Sequence, residues 1–147
     1  MLWLYLLLAL CAGAFMPVQA GVNSQLARWA GHPVLAATIS FLVGTLALLL
    51  YSLTLRSSWP AWNSFSSAPW WVWTGGFFGA FFVAVAAAFA PKLGAATFIS
   101  ITIAGQMLVS LVLDQYGFVG FQQRPLSVWR VVGAVLLVIG VALIRRF

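Results

Sequence analysis

The sequence predicts an all-α, polytopic membrane protein: five transmembrane helices in a single membrane domain over residues 1–147. Three observations carry that prediction. The chain is 64% hydrophobic and only 5% charged, with mean hydropathy +1.08. A soluble core of this size cannot hide so much apolar surface. The apolar residues fall in five runs, each near the roughly 20 residues a helix needs to cross the hydrocarbon. All eight tryptophans lie near the ends of those runs or in loops, at the depth where aromatic belts form.

The spans fall at about 3–25, 33–54, 69–90, 94–114 and 127–145, joined by 26–32, 55–68, 91–93 and 115–126. The first run ends in Val18-Gln19-Ala20 before Gly21, which mimics a cleaved signal peptide, but no basic residue precedes it. Leu8-Ala9-Leu10-Cys11 mimics a lipid-attachment site, with Leu10 where a small residue is wanted. A retained first helix is the expectation. Pro17 cannot donate to the carbonyl of Gly13 and should bend that helix. Gln19 and Asn23, four apart, share a face, with Gln25 roughly opposite. Bent backbone beside amides can shape a cavity; interhelical hydrogen bonding explains the same residues equally well.

The second span starts at Pro33, after His32. The third carries Gly76, Ala80, Ala84 and Ala88 at spacing four, a stripe of small residues that lets another helix approach closely. Gly133 and Gly140 repeat the device in the fifth span, which ends in Arg145-Arg146, able to snorkel to the headgroups.

The fourth span is the most informative. A break at Pro91-Lys92-Leu93 precedes it, and Thr102, Gln106, Ser110 and Asp114 then follow at spacing four. They form one row that drifts about 40° per step. Lipid cannot satisfy their hydrogen bonds, so the row should face protein or a water-filled cavity. Asp114 is the sole acid. It sits at a helix C-terminus, where the dipole disfavours negative charge. A compensating partner is therefore expected from Arg124 or Arg130, in a structural ion pair; a titrating gate is the alternative.

The same inventory excludes whole classes of function. The formal charge of +6 is scattered, with no basic patch for nucleic acid. One cysteine, one histidine and one acid are too few for a metal site, a catalytic triad or other enzyme chemistry, and no cofactor is implied.

Charge bias is nearly balanced. Five spans put the termini on opposite sides. Arg56, Arg124 and Arg130 fall on the N-terminal side, and Arg28, Lys92, Arg145 and Arg146 on the other. The positive-inside rule has little to act on. The expectation is dual topology, with two copies paired antiparallel into a ten-helix inverted-repeat transporter. A fixed orientation beside a homologous partner chain is the alternative.

Several stretches resemble a known family. Pro17-Val18-Gln19-Ala20-Gly21-Val22-Asn23, Ser40-Phe41-Leu42-Val43-Gly44, Ala90-Pro91-Lys92-Leu93-Gly94-Ala95, Ala104-Gly105-Gln106, Leu113-Asp114-Gln115-Tyr116-Gly117, Arg124-Pro125-Leu126 and Gly133 look like the YdcZ-like inner-membrane exporters. These are a five-helix branch of the drug/metabolite transporter superfamily. The resemblance covers essentially the whole chain. It implies a bacterial inner-membrane location, half of a ten-helix transporter, and members that occur singly, in pairs or as fusions. Small multidrug exporters of that superfamily use a glutamate in their first helix; this chain has Gln19 and Asn23 there and no acid.

The functional expectation is a secondary transporter, an exporter of a small molecule, working by alternating access. Gln19, Asn23, Thr102, Gln106 and Ser110 are the candidates for its substrate path. Neutral hydrogen-bonding groups suit an uncharged polar or zwitterionic ligand, and an aromatic cage including Phe15 would admit cations. The alternatives are a dual-topology ion channel and a non-transporting subunit that needs a larger partner.

Overall fold

The computed structural model describes residues 1–55, 65–66 and 68–147. Five helices in it are long and apolar enough to cross a membrane. They are α1 (Leu2–Ala30), α2 (Pro33–Thr54), α3 (Gly75–Leu93), α4 (Ala95–Tyr116) and α5 (Val128–Arg146). Short 3-10 turns cover Trp70–Thr74 and Phe118–Gly120. The chain divides into two compact units, Met1–Lys92 and Leu93–Phe147.

In the first unit, α1 and α2 form a helical hairpin joined by Gly31 and His32. Gly31 takes the left-handed conformation, φ 78°, that ends α1. His32 caps α2, its Nδ1 accepting from the Val34 N–H at 3.2 Å, and Pro33 occupies the first turn, where its missing N–H costs nothing. The helix α1 is longer than the span 3–25, because nothing in Leu26-Ala27-Arg28-Trp29-Ala30 breaks a helix. The apolar run ends where the hydrocarbon ends, while the helix continues to its glycine. It also continues through Pro17. The second span, 33–54, matches α2.

The third span begins as the 3-10 turn Trp70–Thr74, which runs directly into α3. Against α2 the helix brings Gly79, where a Cβ would stand 3.3 Å from the Phe41 ring. A groove of about 330 Å³ runs beside that contact, lined by α2 residues including Thr38 and Thr45 and by Ala80 and Ala84 of α3.

The predicted break at Pro91-Lys92-Leu93 is corrected by the structure: all three residues belong to α3. Proline restricts φ to a value that a helix already uses, and near a C-terminus its missing donor forfeits only one bond. The helical backbone breaks instead at Gly94, with φ 83° and ψ 147°. Side chains on Cβ essentially forbid that region. The fourth span then extends past 114 to Tyr116, and Gly117, φ 65°, closes it with an N–H donated to the Leu113 carbonyl.

In the second unit, α4 and α5 lie side by side. The N-cap of α5 is Ser127, whose side chain accepts from the Arg130 N–H. Six of the tryptophans are described, and Trp3, Trp29, Trp70, Trp71, Trp73 and Trp129 are all exposed. Trp59 and Trp62 lie outside the described residues.

Gly94→Ala should lower the thermal stability of the detergent-solubilised protein by about 1–3 kcal/mol. Pro91→Ala should leave it unchanged or raised. The pair of melting curves identifies which residue sets the break.

Candidate functional site

The sole acid of the chain finds its partner within the second unit. The Asp114 carboxylate, in the last turn of α4, accepts a hydrogen bond through Oδ2 from Nη2 of Arg130, in the first turn of α5. Each charge opposes the dipole of its own helix: a carboxylate at a C-terminus and a guanidinium at an N-terminus. Held together, each relieves the other. The side chains are 32% and 23% exposed for Arg130 and Asp114, so the pair is largely shielded.

Arg124 belongs to the same cluster through its backbone. Its N–H donates to the Asp114 carbonyl at 2.7 Å, and its carbonyl accepts from Nη1 of Arg130 at 2.9 Å. Arg130 is therefore the ion-pair partner that sequence left open between two arginines. Gln115 completes the clasp. Its Oε1 accepts from the Leu126 N–H at 2.6 Å, and its carbonyl accepts from Nε2 of Gln123 at 3.1 Å. The loop so held tolerates Val119 at φ 57°, a conformation that a β-branched residue adopts only when its surroundings hold it.

The rest of the α4 row is placed differently. The Thr102 hydroxyl donates to the Ile99 carbonyl at 2.9 Å within the helix. Gln106, near the middle of α4, and Ser110 are exposed and have no side-chain partner among the described residues.

In the first unit, Asn23 is 3% exposed and its Nδ2 has no hydrogen-bond partner among the described residues. Buried amides are almost always paired, and an unpaired donor costs about 1–3 kcal/mol. Gln19, one turn earlier, is exposed. The two amides thus share a helix face but not an environment.

The small-residue positions also separate. Ala84 and Ala88 are half-buried, Ala80 is exposed, and a Cβ at Gly76, Gly133 or Gly140 would meet nothing within 4 Å. Those three glycines face open space on this chain.

Sequence reasoning missed Gln115, His32 as a cap, Ser127 and the buried Ser100. The caps had signals: Ser127 immediately precedes an apolar run, and Pro33 marks a first turn. Gln115 had none, because its partners lie in a loop that only folding brings back.

The family described as "Putative inner membrane exporter, YdcZ" matches residues 4–143. The chain belongs to this family. It is 29% identical over 138 residues to the inner membrane protein YdcZ of Escherichia coli (strain K12), covering 93% of this chain and 91% of that one. No solved structure matches the chain. With five helices long enough to span, it is a multi-pass protein of the inner membrane.

Arg130→Ala should destabilise the protein by about 2 kcal/mol, since it strands a shielded carboxylate. Asp114→Asn combined with Arg130→Ala should cost less than the sum of the single changes. Unfolding measured by tryptophan fluorescence across the four proteins checks the coupling; strict additivity would deny it.

Proposed function

We propose that this protein is a small-molecule exporter that works by alternating access as an antiparallel, dual-topology homodimer. Membership of an inner-membrane exporter family supports the transporter class. The observation that carries the mechanism is the set of polar side chains inside apolar spans that have no partner among the described residues: the buried Asn23 amide nitrogen, and Gln106 and Ser110 exposed on α4. Hydrocarbon cannot satisfy such groups, so water, substrate or a second copy must meet them.

In this reading Asn23 and Gln19 of α1 and Thr102, Gln106 and Ser110 of α4 line the path. None of them is ionised. Their hydrogen-bonding complement suits an uncharged polar or zwitterionic substrate. The balance of basic residues, three against four across the spans, supports insertion in both orientations, and a second copy in inverted orientation supplies the symmetry that alternating access uses. The open glycines Gly76, Gly133 and Gly140 are the surfaces at which helices of a second copy can approach closely. The Asp114–Arg130 clasp is a fixed point of this machine, holding α4 to α5.

Two experiments test the reading. A cysteine placed at either terminus should be labelled in part by impermeant reagent added to intact cells and in full only after permeabilisation, whereas complete labelling of one terminus and complete protection of the other would exclude dual topology. In vesicles containing the purified chain, uptake of whichever uncharged polar or zwitterionic solute the wild type moves should saturate. Gln106→Leu should reduce it at least tenfold with the dimer intact. Normal transport by that variant would remove Gln106 from the path, and unsaturable ohmic flux would indicate a channel.

A further inference from the structure

The second unit carries a groove of about 420 Å³ between α4 and α5, lined by Leu108, Leu111, Val112, Leu126, Val131, Ala134, Val135, Val138 and Ile139. Every lining residue is apolar. From Val131 to Ile139 the groove follows α5 for about 12 Å at 1.5 Å per residue. Its Leu126 end lies where the loop 117–127 meets the first turn of α5, so one end is interfacial and the other lies at membrane depth.

The chain places a cation close in sequence to the interfacial end: Arg124 is two residues from the lining Leu126, and its backbone is pinned at both N–H and carbonyl. Its position relative to the groove is therefore set by the same clasp that holds the loop. Its side chain is exposed and has no partner among the described residues. Nor can a side-chain carboxylate of this chain neutralise it: the chain has one acid, and Arg130 occupies it. An unneutralised guanidinium, carried on a backbone pinned two residues from the groove-lining Leu126, calls for an anion that carries a hydrocarbon chain.

We propose that this groove is a binding site for an anionic phospholipid, with an acyl chain along α4 and α5 and the phosphate on Arg124. The apolar walls supply affinity for any acyl chain, and the arginine supplies selectivity for negative headgroups. One basic residue at a membrane surface is worth about a fivefold preference.

The test uses the full-length chain, purified and delipidated in detergent, titrated with palmitoyl-oleoyl phosphatidylglycerol or phosphatidylcholine and read by native mass spectrometry. The first phosphatidylglycerol should bind about fivefold more tightly than phosphatidylcholine. Arg124→Ala should abolish that difference and leave phosphatidylcholine binding unchanged, because the contacts of Arg124 within the fold are made by its backbone. Arg124→Lys should retain most of the preference. Val135→Trp, at an exposed groove position, should weaken both lipids. Changing Arg145 and Arg146 together to Ala, at the opposite end of α5, should leave the preference intact. Retention of the preference in Arg124→Ala, or its loss in the Arg145/Arg146 variant, would overturn the proposal. A Val135→Trp protein that binds both lipids normally but no longer dimerises would assign the groove to a second copy and overturn it equally.

Discussion

The second unit depends on one ion pair. With a single acid in 147 residues, the position of Asp114 decides which cation is neutralised inside the chain. Arg130 takes that place, and both charges would otherwise sit at the unfavourable ends of their helices. Because Arg130 also reaches the Arg124 carbonyl, one guanidinium ties the end of α4, the return loop and the start of α5. Gln115 reinforces the arrangement from the neighbouring position. The consequence is a hydrogen-bonded corner in which the Arg124 backbone is held two residues from Leu126, a residue that lines the apolar groove.

The first unit is governed by the opposite condition, a polar group with nothing to bond. Asn23 lies on the packed face of α1, where Ala20 is buried one turn earlier, yet its amide nitrogen is unpaired among the described residues. A group of that kind is retained at a cost in stability. Gln106 and Ser110 pose the same problem from an exposed face of α4. Their common feature is the mismatch between a polar side chain and hydrocarbon, which is the physical basis for reading this chain as part of a larger, water-admitting assembly.

How much was legible depended on the range of the interaction. The second span was read to the residue, because Pro33 and the apolar run that follows are local signals. The first was read short, since hydropathy reports where lipid ends, while Gly31 reports where the helix ends. Sequence places the break between the third and fourth spans at Pro91-Lys92-Leu93, although the helix runs through all three and it is Gly94 that takes the non-helical backbone angles. Proline was the more conspicuous breaker and glycine the effective one. In the candidate site, the need of Asp114 for an arginine was legible from its helix position, but the choice between Arg124 and Arg130 was not.

The sequence by itself determined the solvent, the number of spans and the family, because these follow from composition, run length and motifs that need no folding to be read. It also determined that one acid must be neutralised, since a carboxylate at a helix end carries that requirement wherever it lies. Tertiary structure alone decided that Arg130 meets it, that Asn23 is buried without a partner while Gln19 is exposed, and that Gln115 holds the loop. Those outcomes depend on which residues distant in the chain come within about 3 Å of one another, and a hydrogen bond of that length is settled by packing, not by spacing.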